Sequence, residues 1–190
     1  MENILIKRLV EYISVFQLEI DEDWVLEKLQ DPFRWPVQYS HGQPTVEMLS
    51  NLDSTVLVQP FYRYEYLDYG EFCKFYDMGF TFILSNVLTL HPDMRALSAY
   101  LQEQTGIMCS GNFYMSKGGQ KPSFDKHKHE YNVIIKQLYG KGFWKVENKV
   151  SHDTNDIVLE PQATLLIPKN HYHQVMEVKE PKLSLTINLC

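Results

Sequence analysis

The sequence has 190 residues, of which 44% are hydrophobic, and a formal charge of −6. This length favours one domain, residues 1–190, with a substantial core. The negative charge argues against a nucleic-acid partner. The three scattered cysteines argue against a disulfide framework. No apolar stretch approaches the length of a membrane span or signal peptide, so we expect a cytoplasmic protein with no membrane partner.

The first portion of the chain, residues 1–54, is predicted to be helical. The spacing of Ile6, Leu9 and Ile13 predicts an amphipathic helix over 3–18. We expect its apolar face to pack on its own domain, with a homodimer contact as the alternative. Asp21 is a typical N-cap residue and predicts a helix over 21–29. Another short helix is predicted over 44–52.

Residues 55–190 are predicted to form a β-structure core with flanking helices. Helices are expected over 70–76 and 91–104. The predicted strands are 55–59, 80–86, 107–115, 124–139, 143–148, 157–159, 164–167, 174–178 and 183–189. In the last of these, apolar and polar residues alternate regularly. Helices followed by strands predict a mainly β fold with N-terminal helices, a double-stranded β-helix (jelly roll) with helices outside one sheet.

Three histidines form the candidate site. His127 and His129 are two residues apart, so in a strand they project from one face. Two imidazoles do not complete a metal shell, and His173, which follows a turn at residues 168–170, is the expected third ligand. Asp125 and His171 are further candidates for the metal shell or for contacts to its ligands. The alternative interpretation is a solvated, charged strand over 126–130 in which the histidines carry no metal.

These residues resemble the two signature motifs of the cupin superfamily. The first is His-x-His with Gly140 closing the strand, and the second runs from Pro168 to His173, with Asn170 in place of its glycine. The residues at 137–140, Trp144 and the closing strand are similar to the Jumonji-C-type, ribosomal-oxygenase-like branch. The resemblance covers residues 55–189. It implies a jelly-roll oxygenase that uses Fe(II) and 2-oxoglutarate.

Two positions differ from the pattern of that branch. His129 stands where the branch has an aspartate, and Gly142 stands where it has the lysine that binds the distal carboxylate of 2-oxoglutarate. Loss of such a charge-assisted hydrogen bond weakens binding by roughly one to two powers of ten. We therefore expect weak binding of 2-oxoglutarate if it binds at all. Any such binding is expected to depend on Lys141 or Lys145.

The resemblance also implies roles for residues on neighbouring strands. Tyr114 and Thr186 are expected to contact the co-substrate, with Lys141 and Lys145. Tyr131 and Asn112 are the candidate catalytic residues. Three imidazoles suit Fe(II), and Zn, Cu, Ni or Co as well.

The predicted function is an Fe(II)-dependent oxygenase. Its substrate is expected to be a small molecule, an amino acid or a peptide. The alternative is a non-catalytic cupin module that binds a metal, a small ligand or a partner protein.

Overall fold

The computed structural model describes residues 2–31, 44–50, 56–57, 62–63, 66–106, 109–119, 124–147 and 153–190. Two helices come first, α1 (Glu2–Val15) and α2 (Glu22–Leu29). Asp21 caps α2 as predicted, since its carboxylate accepts a hydrogen bond from the Trp24 amide. Among the described residues, no helix combines the length and apolarity that crossing a bilayer requires.

The helix predicted over 44–52 is wrong, because strand β1 (Val46–Leu49) lies there. β1 pairs antiparallel with a later strand along its whole length, and Val46, Met48 and Leu49 are buried. Pairing and burial within the fold outweigh local helix propensity at this site. The segment 1–54 is therefore not entirely helical. The strand predicted over 55–59 is described only at 56–57, and its remaining residues lie outside the described part.

The remaining elements follow in chain order. Up to residue 105 they are β2 (Val56–Leu57), β3 (Tyr62–Arg63), β4 (Tyr66–Leu67), α3 (Tyr69–Asp77), β5 (Thr81–Leu84), a 3-10 turn (Val87–Thr89) and α4 (Pro92–Thr105). The later strands are β6 (Cys109–Ser116), β7 (Asn132–Tyr139), β8 (Gly142–Glu147), β9 (Thr154–Leu159), β10 (Thr164–Ile167), β11 (His173–Val175) and β12 (Lys182–Leu189). Apart from β3, β4 and the 3-10 turn, which the sequence did not predict, these agree with the predicted order of helices and strands.

The strands form two main antiparallel sheets. The large sheet has the order β10-β7-β12-β6-β5-β1-β2, and the small sheet has the order β11-β8-β9. β3 and β4 form a separate pair. This mainly β architecture with helices is the predicted fold class.

The interior strand β12 shows how the large sheet divides its two faces. Leu183, Leu185 and Ile187 are completely buried in the core that includes apolar residues of α1, α2 and α4. The residues between them, Ser184 and Thr186, line a cavity on the other face. The alternation read from the sequence thus separates a helix-covered apolar face from a polar cavity face.

The strand predicted over 124–139 is interrupted. Only Asn132–Tyr139 belongs to β7, while His127 forms an isolated bridge with His173 of β11. Because the chain pairs first with the small sheet and then with the large one, it bends at residues 130–131. This transition places the histidine segment between the two sheets.

A buried lysine connects α1 to the large sheet. The Lys136 side chain is 1% exposed, and its ammonium donates to the carbonyl oxygens of Ser14 and Gln162 at 3.1 and 2.7 Å. Ser14 lies in the last turn of α1, where carbonyl oxygens lack helical partners. Lys136 therefore fixes the end of α1 against the sheet.

Candidate metal centre

His127, His129 and His173 come together between the two sheets. Each offers one ring nitrogen, and these three atoms lie within 4.8 Å of one another. The ring centroids of His127 and His173 are 4.4 Å apart. His173 is 4% exposed, whereas the other two rings are half-buried. The three histidines predicted from the sequence thus form one cluster, open on one side.

Backbone pairing fixes the first and third histidines relative to each other. The His127 amide donates to the His173 carbonyl at 3.1 Å, and the His173 amide donates to the His127 carbonyl at 2.8 Å. Residues that exchange both hydrogen bonds face each other directly in an antiparallel pair. The separation of these two imidazoles is therefore set by main-chain geometry.

The turn before His173 positions the second histidine. Asn170 has a φ of 65°, a left-handed conformation that asparagine adopts more readily than most other non-glycine residues. Its amide donates to the His129 carbonyl at 2.7 Å, and the neighbouring Lys169 amide donates to the Asn132 side chain at 3.0 Å. The turn is thus attached to the segment that carries His129, and it holds both motifs in register.

Carbonyl oxygens select the tautomer of two of the imidazoles. Nδ1 of His127 lies 2.8 Å from the Asp125 carbonyl, and Nδ1 of His173 lies 3.0 Å from the His171 carbonyl. A carbonyl accepts but does not donate, so each contact is a hydrogen bond only when Nδ1 carries the proton. Nε2 of both rings is then left with a free lone pair, as a metal ligand requires.

Burial favours the uncharged form of two of the histidines. It lowers the pKa of His173 to about 4, and it also lowers the pKa of His129, an effect that neighbouring His127 reinforces. A protonated imidazole binds no metal. The low pKa values therefore maintain the metal-binding form at neutral pH.

The donor set fits a divalent transition metal. Two nitrogens bound to one such ion are at most about 4.2 Å apart, so the observed 4.8 Å requires a contraction of at least about 0.6 Å. The Asp125 side chain is exposed and, like His171, lies outside the cluster. Asp125 contributes its backbone carbonyl to His127 instead of a carboxylate.

A cavity of about 60 Å³ extends from the histidines along the polar face of the large sheet. Tyr114 and Thr186, the predicted co-substrate contacts, both line it. Burial raises the pKa of Tyr114, so its hydroxyl stays protonated. The other lining residues are Thr81, Ser116, Phe124, Val133, Ile135, Trp144, Val175, Val178, Lys182 and Ser184.

The two lysines predicted to reach the co-substrate do not line this cavity. Lys141 pairs with Glu160 at 3.0 Å, and Lys145 pairs with Asp156 at 3.6 Å, all with exposed side chains. Along β8, side chains alternate between the two faces, and Lys145 lies on the face opposite to that of Trp144. Neither Lys141 nor Lys145 is thus among the residues that line the cavity, and their expected role at the co-substrate stays a prediction.

The two predicted catalytic residues also lie outside the cavity lining. Tyr131 stacks on His129, with ring centroids 5.1 Å apart and an interplanar angle of 16°. Asn112 accepts a hydrogen bond from the Asn86 amide at 3.3 Å. Asn86 has a left-handed backbone with a φ of 57°. Tyr131 thus orients a histidine ring, and Asn112 supports a turn.

Trp144 accounts for the glycine at position 142. A Cβ atom on Gly142 would lie 2.8 Å from Trp144 Nε1 and 2.8 Å from Gln137 Oε1. The space into which a side chain at 142 would point is therefore filled by the indole. Trp144 itself is 7% exposed and borders the cavity.

Sequence reasoning missed Lys182. It is 3% exposed, lines the cavity and begins β12. The signal that could have identified it is the alternation of β12, because Lys182, Ser184 and Thr186 are spaced two apart and share one face. A lysine at the end of a strand is ordinarily solvated, so only the three-dimensional structure reveals its burial.

Solved structures with a similar fold include a bacterial oxygenase. The ribosomal oxygenase YcfD from Escherichia coli matches with a TM-score of 0.65 at 18% identity, over 93% of this chain and 45% of that chain. A complex of YcfD with cobalt and 2-oxoglutarate matches with a TM-score of 0.62 at 19% identity, over the same shares. This chain thus spans less than half the length of YcfD. No family model and no curated protein sequence matches. The likeness is one of fold, and it agrees with the predicted double-stranded β-helix (jelly roll).

Proposed function

We propose that this protein is a non-haem iron oxygenase in which His127, His129 and His173 hold Fe(II). The substrate we propose is a small molecule, an amino acid or a peptide. The observation that carries the proposal is the cluster of three ring nitrogens within 4.8 Å of one another at one end of a cavity. Iron held by three protein ligands keeps open positions and supplies the redox chemistry of an oxygenase.

The number of protein ligands supports a catalytic site over a structural one. Structural zinc sites close their shell with four protein ligands, whereas catalytic sites keep a position for water or substrate. The described part of the chain offers three ligands here. Two of these rings also have their tautomers fixed by backbone carbonyls. Such support orients metal ligands and increases their basicity.

The residues of the chain have three tasks in this proposal. Phe124 and Trp144 border the cavity beside His127 and His173 and limit the access of water. The Tyr131 ring keeps His129 in its orientation. Tyr114 presents a protonated hydroxyl to the bound substrate.

The charge of the site favours an anionic substrate or co-substrate. Three neutral imidazoles leave the double charge of the metal uncompensated, and no aspartate or glutamate is among the described residues that line the cavity. A 2-oxo acid fits this requirement. We therefore include 2-oxoglutarate among the co-substrates to be tested.

Oxygen consumption by the Fe(II)-loaded protein tests this proposal. A panel of 2-oxo acids, thiols and amino acids is added singly, and we expect iron-dependent uptake with at least one of them. His173→Ala is expected to abolish the uptake, whereas His171→Ala, which changes a residue outside the cluster, is the matched control. Iron-loaded protein that consumes no oxygen with any class would contradict the proposal.

The second candidate function is a non-catalytic cupin module that binds a metal and a small ligand. It is favoured by the position of Tyr131 and Asn112, which leaves the two predicted catalytic side chains outside the cavity lining. Metal and ligand binding without any oxygen consumption would support this module.

A further inference from the structure

Residues 126–128 form an outer edge of the small sheet. His127 exchanges both main-chain hydrogen bonds with His173 of β11, and β11 pairs on its other side with β8. In an antiparallel pair, the residues on either side of such a bonded pair direct their amide and carbonyl groups away from the partner strand. In the described part of the chain, the main chains of Lys126 and Lys128 accordingly have no hydrogen bond. This edge therefore offers the peptide groups that an added strand requires.

The two lysines of this edge lie against an exposed tyrosine. Lys126 Nζ and Lys128 Nζ are each 5.1 Å from the centroid of the Tyr172 ring, and Tyr172 is 40% exposed. Lys126 also pairs with Glu147, whereas Lys128 has no ion pair with any described residue. Because a cation–π contact at an exposed site is weak, the Lys128 ammonium is available to an anion.

The charges on the edge select the strand that can be added. If the edges of two copies of this chain met around a two-fold axis at His127, Lys126 of one copy would oppose Lys128 of the other. Like charges directly opposite each other are destabilising, and lysines on sheet edges prevent pairing of this kind. An acidic residue opposite Lys128 instead forms a favourable pair across the two strands. The edge therefore fits an acidic peptide better than a second copy.

The alternation of side chains places an added strand beside the metal centre. Lys126 and Lys128 point to the outer face of the sheet, whereas His127 between them lines the cavity. A peptide residue opposite His127 shares its face, with the two Cβ atoms about 4.5–5.5 Å apart. Since the rings of His127 and His129 are half-buried, such a residue approaches the open side of the cluster.

We propose that residues 126–128 bind an extended acidic segment of a partner protein by strand addition, with a carboxylate of the segment on Lys128. Main-chain hydrogen bonds to Lys126 and Lys128 hold the segment, and its residue opposite His127 faces the three histidines. The docking is independent of the proposed function. Only the assignment of that facing residue as the one acted on rests on the oxygenase proposal, and it narrows the substrate class to a peptide with a neighbouring acidic residue.

Fluorescence anisotropy of the metal-free protein with a labelled peptide of alternating glutamate and threonine tests the docking. We expect saturable binding of this peptide and none of a peptide with lysine in place of glutamate. In the proposed register the glutamates bond to the main chains of Lys126 and Lys128, so N-methylation of the glutamate amides is expected to abolish binding. N-methylation of the threonine amides, which point away from the sheet, is the matched control and is expected to leave binding unchanged.

Substitution of Lys128 tests the ion pair. Lys128→Gln is expected to weaken binding of the glutamate peptide by about twofold to fivefold, the effect of losing an exposed ion pair. Lys74→Gln, which removes an exposed lysine paired with Glu71 on α3, is the matched control and is expected to bind as the wild type does. Both lysines are exposed, so neither substitution is expected to disturb folding.

The outcomes separate this inference from the proposed function. Wild-type protein that does not bind the glutamate peptide, or that binds its glutamate-methylated form equally, would overturn the inference even if the histidines bind iron. Equal binding by Lys128→Gln, or equal binding of the lysine peptide, would overturn it as well. A dimer in gel filtration that binds no peptide would assign this edge to a second copy instead. Peptide binding by a protein that consumes no oxygen when loaded with iron would support the inference and contradict the oxygenase proposal.

Discussion

Replacement of Lys182 by methionine is expected to make the protein more stable at neutral pH. Burial lowers the pKa of Lys182 from 10.5 to about 8. One pKa unit corresponds to about 1.4 kcal/mol, so the charged side chain destabilises the folded protein by about 3 kcal/mol. Methionine is similar in length and needs no counter-charge. Lys182→Met is therefore expected to increase the free energy of unfolding by about 3 kcal/mol at neutral pH.

This gain in stability is expected to decrease at high pH. The folded chain releases the Lys182 proton near pH 8, whereas the unfolded chain releases it near 10.5. Wild-type stability relative to the variant therefore rises with pH across this window. Urea unfolding of the metal-free proteins at neutral pH and at about pH 10, in buffer free of organic acids, measures the difference. Equal stability at neutral pH, or a difference that persists at about pH 10, would refute the reasoning.

Three further predictions concern stability. Lys136→Met removes the donor to two carbonyl oxygens. It is therefore expected to lower the free energy of unfolding by about 1–3 kcal/mol. Unchanged urea unfolding would contradict this prediction. Gly140→Ala would place a Cβ atom 2.0 Å from the Pro181 carbonyl oxygen, whereas Gly119→Ala has a similar positive φ and no atom within 4 Å. Gly119→Ala is expected to lower thermal stability by about 1–2 kcal/mol because of its positive φ, and Gly140→Ala is expected to lower it by more. Equal losses in the two variants would contradict the close contact. The folded metal-free protein keeps His173 neutral down to about pH 4, but the unfolded chain protonates it near 6.5. The stability of the metal-free protein should therefore fall as pH decreases through this window. His173→Asn should reduce that slope when it is measured by urea unfolding. An unchanged slope would show that His173 is solvated in the folded protein.

The sequence was most informative where local geometry determines the outcome. The spacing of His127 and His129, and the turn that ends at Asn170, identified three side chains that the structure brings together. The alternation of β12 likewise indicated which residues belong to the core and which do not. The spacing within each motif and the alternation of β12 depend on residues close to one another in the chain, whereas the pairing of His127 with His173 does not.

The features that sequence reasoning missed depend on distant contacts. The burial of Lys182 arises because β12 lies in the interior of the large sheet between β6 and β7. The helix expected over 44–52 is a strand because β5 pairs with it. Lys141 and Lys145 were chosen for their closeness to Gly142, whereas in the structure they pair with Glu160 and Asp156, which lie on another part of the chain. No local pattern contains this information.

The metal content of the protein tests the central claim most directly. We expect about one iron per chain after anaerobic reconstitution with Fe(II) and gel filtration. His173→Ala is expected to lose the metal, and His171→Ala is expected to retain it. Undiminished metal content in the His127→Ala/His173→Ala double variant would contradict the assignment of these histidines as the ligands.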